Sequence, residues 1–149
     1  MSIERASRPL PLPPSPAAEV DGQPHVYVIN SDPSFLEMIG ELLEDTRVRV
    51  TLEQMRPNAL VTVDNLRSAR PDLLILDVVP YHGDAERLLD LLRDGDDGLS
   101  ELPVLLACTS ASIAERVAER FPDLVREVLP KPFDLDDFFA RLGRLLPPV

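Results

Sequence analysis

Two apolar runs in this chain end on groups that can do chemistry. "PDLLILD" closes on the carboxylate of Asp77, and "VREVLPKPF" carries Lys131, the sole lysine of the sequence. A third run, "HVYVINSDPSF", stops in the small polar cluster Asn30, Ser31 and Asp32. A fourth, "PVLLACTS", ends on Cys108 and Thr109. A strand-end carboxylate beside an ammonium can serve as a nucleophilic acceptor or as half of an ion pair. Neighbouring oxygens can hold a hard cation such as Mg2+. His82, just beyond Asp77, adds an imidazole but has no second histidine or cysteine at ligand spacing. All of this depends on whether the chain brings the four ends together.

Composition narrows the alternatives. The 149 residues suffice for one ordinary domain with a sizeable core, and 44% of them are hydrophobic. Apolar runs are too short to span a bilayer, and no charged start followed by an apolar stretch marks a signal peptide. The expectation is a cytoplasmic protein. Cys108 is the only cysteine, so no internal disulfide forms. A formal charge of −11 repels phosphate backbones and excludes nucleic acid as the expected partner.

Residues 1–24 carry six prolines and no apolar periodicity. They read as an extended, mobile arm unable to form a helix or ladder. "PLPLPP" has the form of a ligand for a proline-recognising module, but a tether or start-site extension is the expected reading. From residue 25 to 149 strands and helices alternate. Asp32 and Pro33 begin a helix reaching about Asp45, Asn58 begins a second that Pro71 closes, and helices over Leu88–Leu92 and Ile113–Phe121 follow. A closing helix after Asp134 carries acids in its first turn and Arg141 and Arg144 near its end, matching the helix dipole. Alternation of this kind implies an α/β, doubly wound, five-stranded parallel sheet. The fully apolar runs Val26–Ile29, Leu73–Leu76 and Val104–Ala107 belong at its centre. "RVRVTL", half exposed by its alternation, and "VREVL" belong at the edges, giving the order 2-1-3-4-5. The functional crevice of such a sheet lies beyond the carboxyl ends of its strands, where the four ends collect.

With its motifs so placed, the region from His25 to about Leu146 resembles the receiver domain of bacterial two-component response regulators, the CheY-like family, a flavodoxin-like (βα)5 fold. "PDLLILD" looks like the family's third strand, which puts its phosphoacceptor at Asp77. "LPVLLACTS" looks like the fourth. "KPFDLDDFFARLGRLL" looks like the Lys-Pro-Phe turn and last helix, with the family's lysine at Lys131 and a cis peptide before Pro132. The resemblance implies that two acids before Pro33 should hold magnesium, yet their positions are Asn30 and Ser31. Asp32 takes the third place, as a helix cap or a single metal ligand beside Asp77. The switch hydroxyl falls on Cys108, or on Thr109 after a one-residue slip, and the aromatic switch on Val128. Pro80 comes one residue early, shortening the loop after Asp77.

These departures imply a degenerate metal pocket in which Mg2+ binds weakly and no cofactor is required. The expected function is that of a stand-alone, atypical receiver (a pseudo-receiver) acting through protein contacts and not as an enzyme. Its partner would be a histidine kinase or another signalling protein, or a second copy through the last-helix face, with Val128, Phe133 and Phe138 as contact residues. The alternative is a conventional response regulator phosphorylated on Asp77 in a phosphorelay. A phosphatase of the dehalogenase type would need an acid where Val79 stands. No Gly-rich phosphate loop follows the first strand, and no Ser-His-Asp set is available. "RDGDDG", Arg93 to Gly98, lacks the spacing of a calcium loop and reads as a solvated turn.

Overall fold

The computed structural model describes residues 2–4, 22–80, 82–95 and 98–147. Its strands are β1 (Ser2–Glu4), β2 (His25–Asn30), β3 (Arg49–Gln54), β4 (Leu73–Asp77), β5 (Val104–Cys108) and β6 (Val125–Pro130). The helices are α1 (Pro33–Leu43), α2 (Ala59–Ala69), α3 (Asp84–Asp94), α4 (Ala111–Arg120) and α5 (Leu135–Leu145). The sheet order is β1-β3-β2-β4-β5-β6. Strands β2 to β6 are parallel, so the expected five-stranded arrangement, with its three apolar runs central, is present.

Alternation along the central strands builds two apolar layers. Tyr27, Ile29, Leu74, Leu76, Val104 and Leu106 face α2, α3 and α4. Val26, Val28, Leu73, Ile75 and Leu105 face α1 and α5, where Leu36, Ile39, Phe138 and Leu142 cover them. Both layers are close to fully buried, which fixes the register because a one-residue slip would turn each strand inside out. Helix starts follow the sequence signals. Asp32 accepts the Ser34 N–H at 2.9 Å, with Pro33 in the first turn, and Asn58 accepts the Leu60 N–H at 3.1 Å. Ser110 and Asp134 cap α4 and α5 in the same way.

Two expectations are corrected. Residues 2–4 are not part of an arm that cannot enter a ladder: β1 pairs antiparallel with β3, Ser2 opposite Glu53 and Glu4 opposite Thr51. These three residues precede the first proline, so their N–H groups can satisfy the open edge of β3. The rest of the proline-rich expectation, over residues 5–21, lies outside the described residues, as does part of "RDGDDG". The second correction concerns β3, which is not half exposed: Val50, Thr51, Leu52 and Glu53 are all buried. Its polar positions face protein donors instead of water. Glu53, fully buried, accepts from Tyr27 Oη, from Thr62 Oγ1 at 2.8 Å and from Asn65 Nδ2 at 2.9 Å. A period-two pattern marks which residues share a face, but not what covers that face.

His25 begins β2 at the opposite edge of the sheet from the strand ends. Arg49 donates to its Nδ1 at 3.5 Å, leaving the ring proton on Nε2, 2.8 Å from Thr51 Oγ1. Burial, and then the Arg49 charge, lower its pKa from 6.5 to about 4. Below pH 6.5 the unfolded chain binds a proton that the folded chain refuses until about pH 4, so acidification favours unfolding across that window. Urea unfolding of His25→Gln against the parent should show the parent alone losing on the order of 2 kcal/mol to this group between pH 7 and 4.

Candidate functional site

The carboxyl ends of β2, β4, β5 and β6 meet at one edge of the sheet. Ile29 is in register with Leu76, so Asn30 and Asp77 follow as neighbours. By alternation both lie on the α1 and α5 side. Asp77 is also in register with Ala107, and the Val78 N–H donates to the Ala107 carbonyl at 2.9 Å. The Lys131 N–H donates to the Cys108 carbonyl at 3.0 Å, which anchors the turn after β6. Its peptide bond to Pro132 is cis, as the motif implied.

The ammonium of Lys131 donates to Asp77 Oδ1. The lysine side chain keeps 20% of its accessible surface and the aspartate 8%. Lys131 Nζ also lies 4.5 Å from the centroid of the Phe35 ring. Phe35 was not among the candidates read from the sequence; an aromatic two residues after the helix-starting proline was the only signal. The contact holds the ammonium over the ring's negative face and shields the pair from water. From Phe35 the rings continue to Phe133, Phe138 and Phe139, with centroids 6.1, 5.3 and 5.5 Å apart in turn.

The three residues after β2 are arranged differently from a cation cage. Asn30 is 1% exposed, and its Oδ1 accepts the Asp32 N–H at 2.7 Å. That bond fixes the amide orientation and leaves Nδ2 buried with no acceptor among the described residues. Ser31 is exposed, and its carbonyl accepts from Gln54 Nε2 at 3.2 Å. Asp32 is exposed and committed to the cap of α1. Among the described residues, no group of three or more His, Cys, Asp or Glu side chains is arranged to hold a metal ion.

The remaining candidates separate. Cys108 is buried in the layer beneath α3 and α4, where its Sγ accepts the Ser110 N–H at 3.4 Å. Thr109 is exposed beside it, and so is His82. Of the expected contact residues, Phe138 is fully buried and cannot meet a partner, because it seals the α5 layer over the sheet. Val128 and Phe133 are partly buried. Leu135 and Phe139, on the outer side of α5, are the exposed apolar residues there.

No protein-family model matches the chain. Its sequence is 34% identical to the response regulator MprA of Mycolicibacterium vanbaalenii over 122 residues, 81% of this chain and 49% of that protein. The chain therefore spans about half the length of the curated relatives it matches. The non-phosphorylated HemR receiver domain of Leptospira biflexa superposes with a TM-score of 0.65 at 27% identity, covering 83% of this chain and 94% of that one. The chemotaxis response regulator CheY4 of Vibrio cholerae, at 20% identity, gives 0.68 and shares the fold, over 83% of this chain and 99% of its own. The chain belongs to the response-regulator receiver family. The ion pair joins the two residues that the motif resemblance puts at the family's phosphoacceptor and lysine positions, Asp77 and Lys131. Among the described residues, no helix is long and apolar enough to cross a membrane.

A pair this shielded should be strongly coupled. Removing either partner strands a partly buried charge, whereas removing both strands none. In urea unfolding, Asp77→Asn and Lys131→Met should each lose about 2 kcal/mol, and the double variant clearly less than their sum. Additive losses would show that the two charges do not stabilise one another.

Proposed function

We propose that this receiver domain is a pseudo-receiver: it signals through protein contacts and does not depend on magnesium-assisted phosphorylation of Asp77. The observation that carries this reading is Asn30, a buried neutral amide whose Oδ1 is taken by the Asp32 N–H, at the place where the resemblance puts a receiver's first carboxylate. Magnesium needs oxygen ligands with carboxylate charge and gives up water reluctantly. Asn30, Ser31 and a capping Asp32 do not fit that need, and the buried carboxylate of Asp77 already holds Lys131. A unit charge pair near a protein surface is worth about 4 kcal/mol at 4 Å. The loss of two such pairs leaves a weak site even after desolvation is discounted.

The contact surface that supports partner binding is the outer side of α5. Leu135 and Phe139 are exposed there. Arg144 donates to Glu127 at 2.8 Å and Arg141 donates to it at 3.1 Å, and Arg144 foremost lowers the carboxyl's pKa. A signalling protein such as a histidine kinase, or a second copy, is the expected partner, in a cytoplasmic setting. Nucleic acid is disfavoured by the charge of −11.

A conventional receiver, phosphorylated on Asp77 by a histidine kinase, is the second reading. The retained Asp77–Lys131 pair favours it, with waters completing the metal shell. The two separate in one experiment. Incubation with magnesium and acetyl phosphate, followed by intact-mass analysis, should leave the protein unmodified, and beryllofluoride should not perturb the Asp77 amide. A stoichiometric adduct that Asp77→Asn abolishes would establish the conventional reading.

A further inference from the structure

We infer that the cavity at the amino end of β6 is a binding site for a small zwitterion with an apolar body, the chemistry of an apolar amino acid or dipeptide. The cavity lies at the opposite edge of the sheet from Asp77, and the inference stands whichever reading of Asp77 holds.

The first observation is the cavity. Its volume is about 380 Å3, within the range of small-molecule sites, and Phe121, Pro122 and Leu124 give it an apolar wall. Arg93 and Arg120 hold the Phe121 ring, with guanidiniums 5.1 and 4.9 Å from its centroid. Both are already committed, Arg93 to Asp90 and Asp94, Arg120 to Glu86 and Asp90. They shape the wall without supplying a free charge. The second observation is Arg126. Val104 is in register with Val125 but Leu105 with Glu127, which makes Arg126 the extra residue of a β-bulge. A bulge re-aims a side chain out of the strand's alternation. Arg126 lines the cavity, exposed, and makes no ion pair among the described residues. The third is what shares the cavity with it. Glu101 and Asp123 also line it, exposed, and neither makes an ion pair among the described residues. Opposite charges that border one cavity without meeting leave room for a ligand that carries both.

The roles follow from the residue types. The planar fork of Arg126 donates to a carboxylate in two parallel hydrogen bonds. Glu101 and Asp123 accept from an ammonium, and the negative ends of α3 and α4, which close beside the cavity, favour the same group. An apolar side chain between the two charges covers Phe121, Pro122 and Leu124. A ligand with one charge alone leaves the opposite side of the cavity unmatched. Exposed charges are screened by water, so a dissociation constant on the order of millimolar follows.

The test is an NMR titration of the isotope-labelled full chain with leucine and with leucyl-leucine, at constant ionic strength, following the backbone amides of Leu124 and Arg126. Saturable shifts with either zwitterion support the site, and the tighter of the two distinguishes amino acid from peptide as its source. N-acetyl-leucine, which lacks the ammonium, and leucinamide, which lacks the carboxylate, should each bind at least about tenfold more weakly. Arg126→Met and the double variant Glu101→Gln/Asp123→Asn alter exposed positions and should keep the fold. Each should weaken binding of the tighter zwitterion at least about tenfold. Shifts that grow linearly with both zwitterions would overturn the site. So would a capped analogue that binds as tightly as the zwitterion, or saturable shifts unaltered in either variant.

Discussion

The ion pair between Asp77 and Lys131 organises the site. Its partners lie 54 residues apart, at the end of β4 and in the turn after β6, and they meet because β5 sets the spacing between those strands. Phe35 brings α1 to the same point by packing its ring under the ammonium. The pair therefore binds three elements of the α1 and α5 side at one place. It also determines the chemistry open to the pocket. On the proposed reading, a carboxylate already paired with an ammonium attracts a cation weakly, and a metal would compete with Lys131 for Asp77. In a receiver with two further carboxylates that competition favours the metal. Here the neighbouring side chains are an amide, a hydroxyl and a helix cap.

The sheet supplies the rigidity that makes so few groups sufficient. On the α2 side, Glu53 collects donors from Tyr27, Thr62 and Asn65, fastening β3 to β2 and to the helix above. A fully buried carboxylate is tolerated only with such partners. Just beyond it, the Met55 N–H donates to the Asn30 carbonyl at 2.8 Å, so the backbone at the end of β2 is pinned by β3. The side chain of Asn30 is thus presented by a strand fixed on both edges. The aromatic series from Phe35 to Phe139 runs from the pocket to the exposed side of α5 through the buried Phe138. It is a contiguous packed route between the ion pair and the proposed contact surface.

Much of this was legible in the residues. The apolar runs ending at Asn30, Asp77 and Cys108 announced central parallel strands, and Asp32, Asn58 and Asp134 sit at the helix caps where their side chains serve best. The Lys-Pro-Phe element after the last strand marked Lys131, which the fold brings to Asp77. What escaped depends on partners distant in sequence. Nothing local marks Glu53 as buried, because its donors come from another strand and a helix. Phe35 looked like one more apolar residue of an amphipathic helix until the fold set it under Lys131. Phe138 and Phe139 are adjacent and chemically identical, and only the angle at which α5 sits on the sheet decides that the first is buried and the second exposed. The pairing of β1 on β3 was hidden because the prolines that follow dominate the character of the segment.

Calorimetric titration of magnesium chloride, comparing the native chain with Asn30→Asp/Ser31→Asp, tests the central claim most directly. The account predicts no saturable binding heat for the native chain at millimolar magnesium, and a measurable isotherm once the two carboxylates are restored. Tight binding by the native chain, unchanged by the restoration, would contradict it.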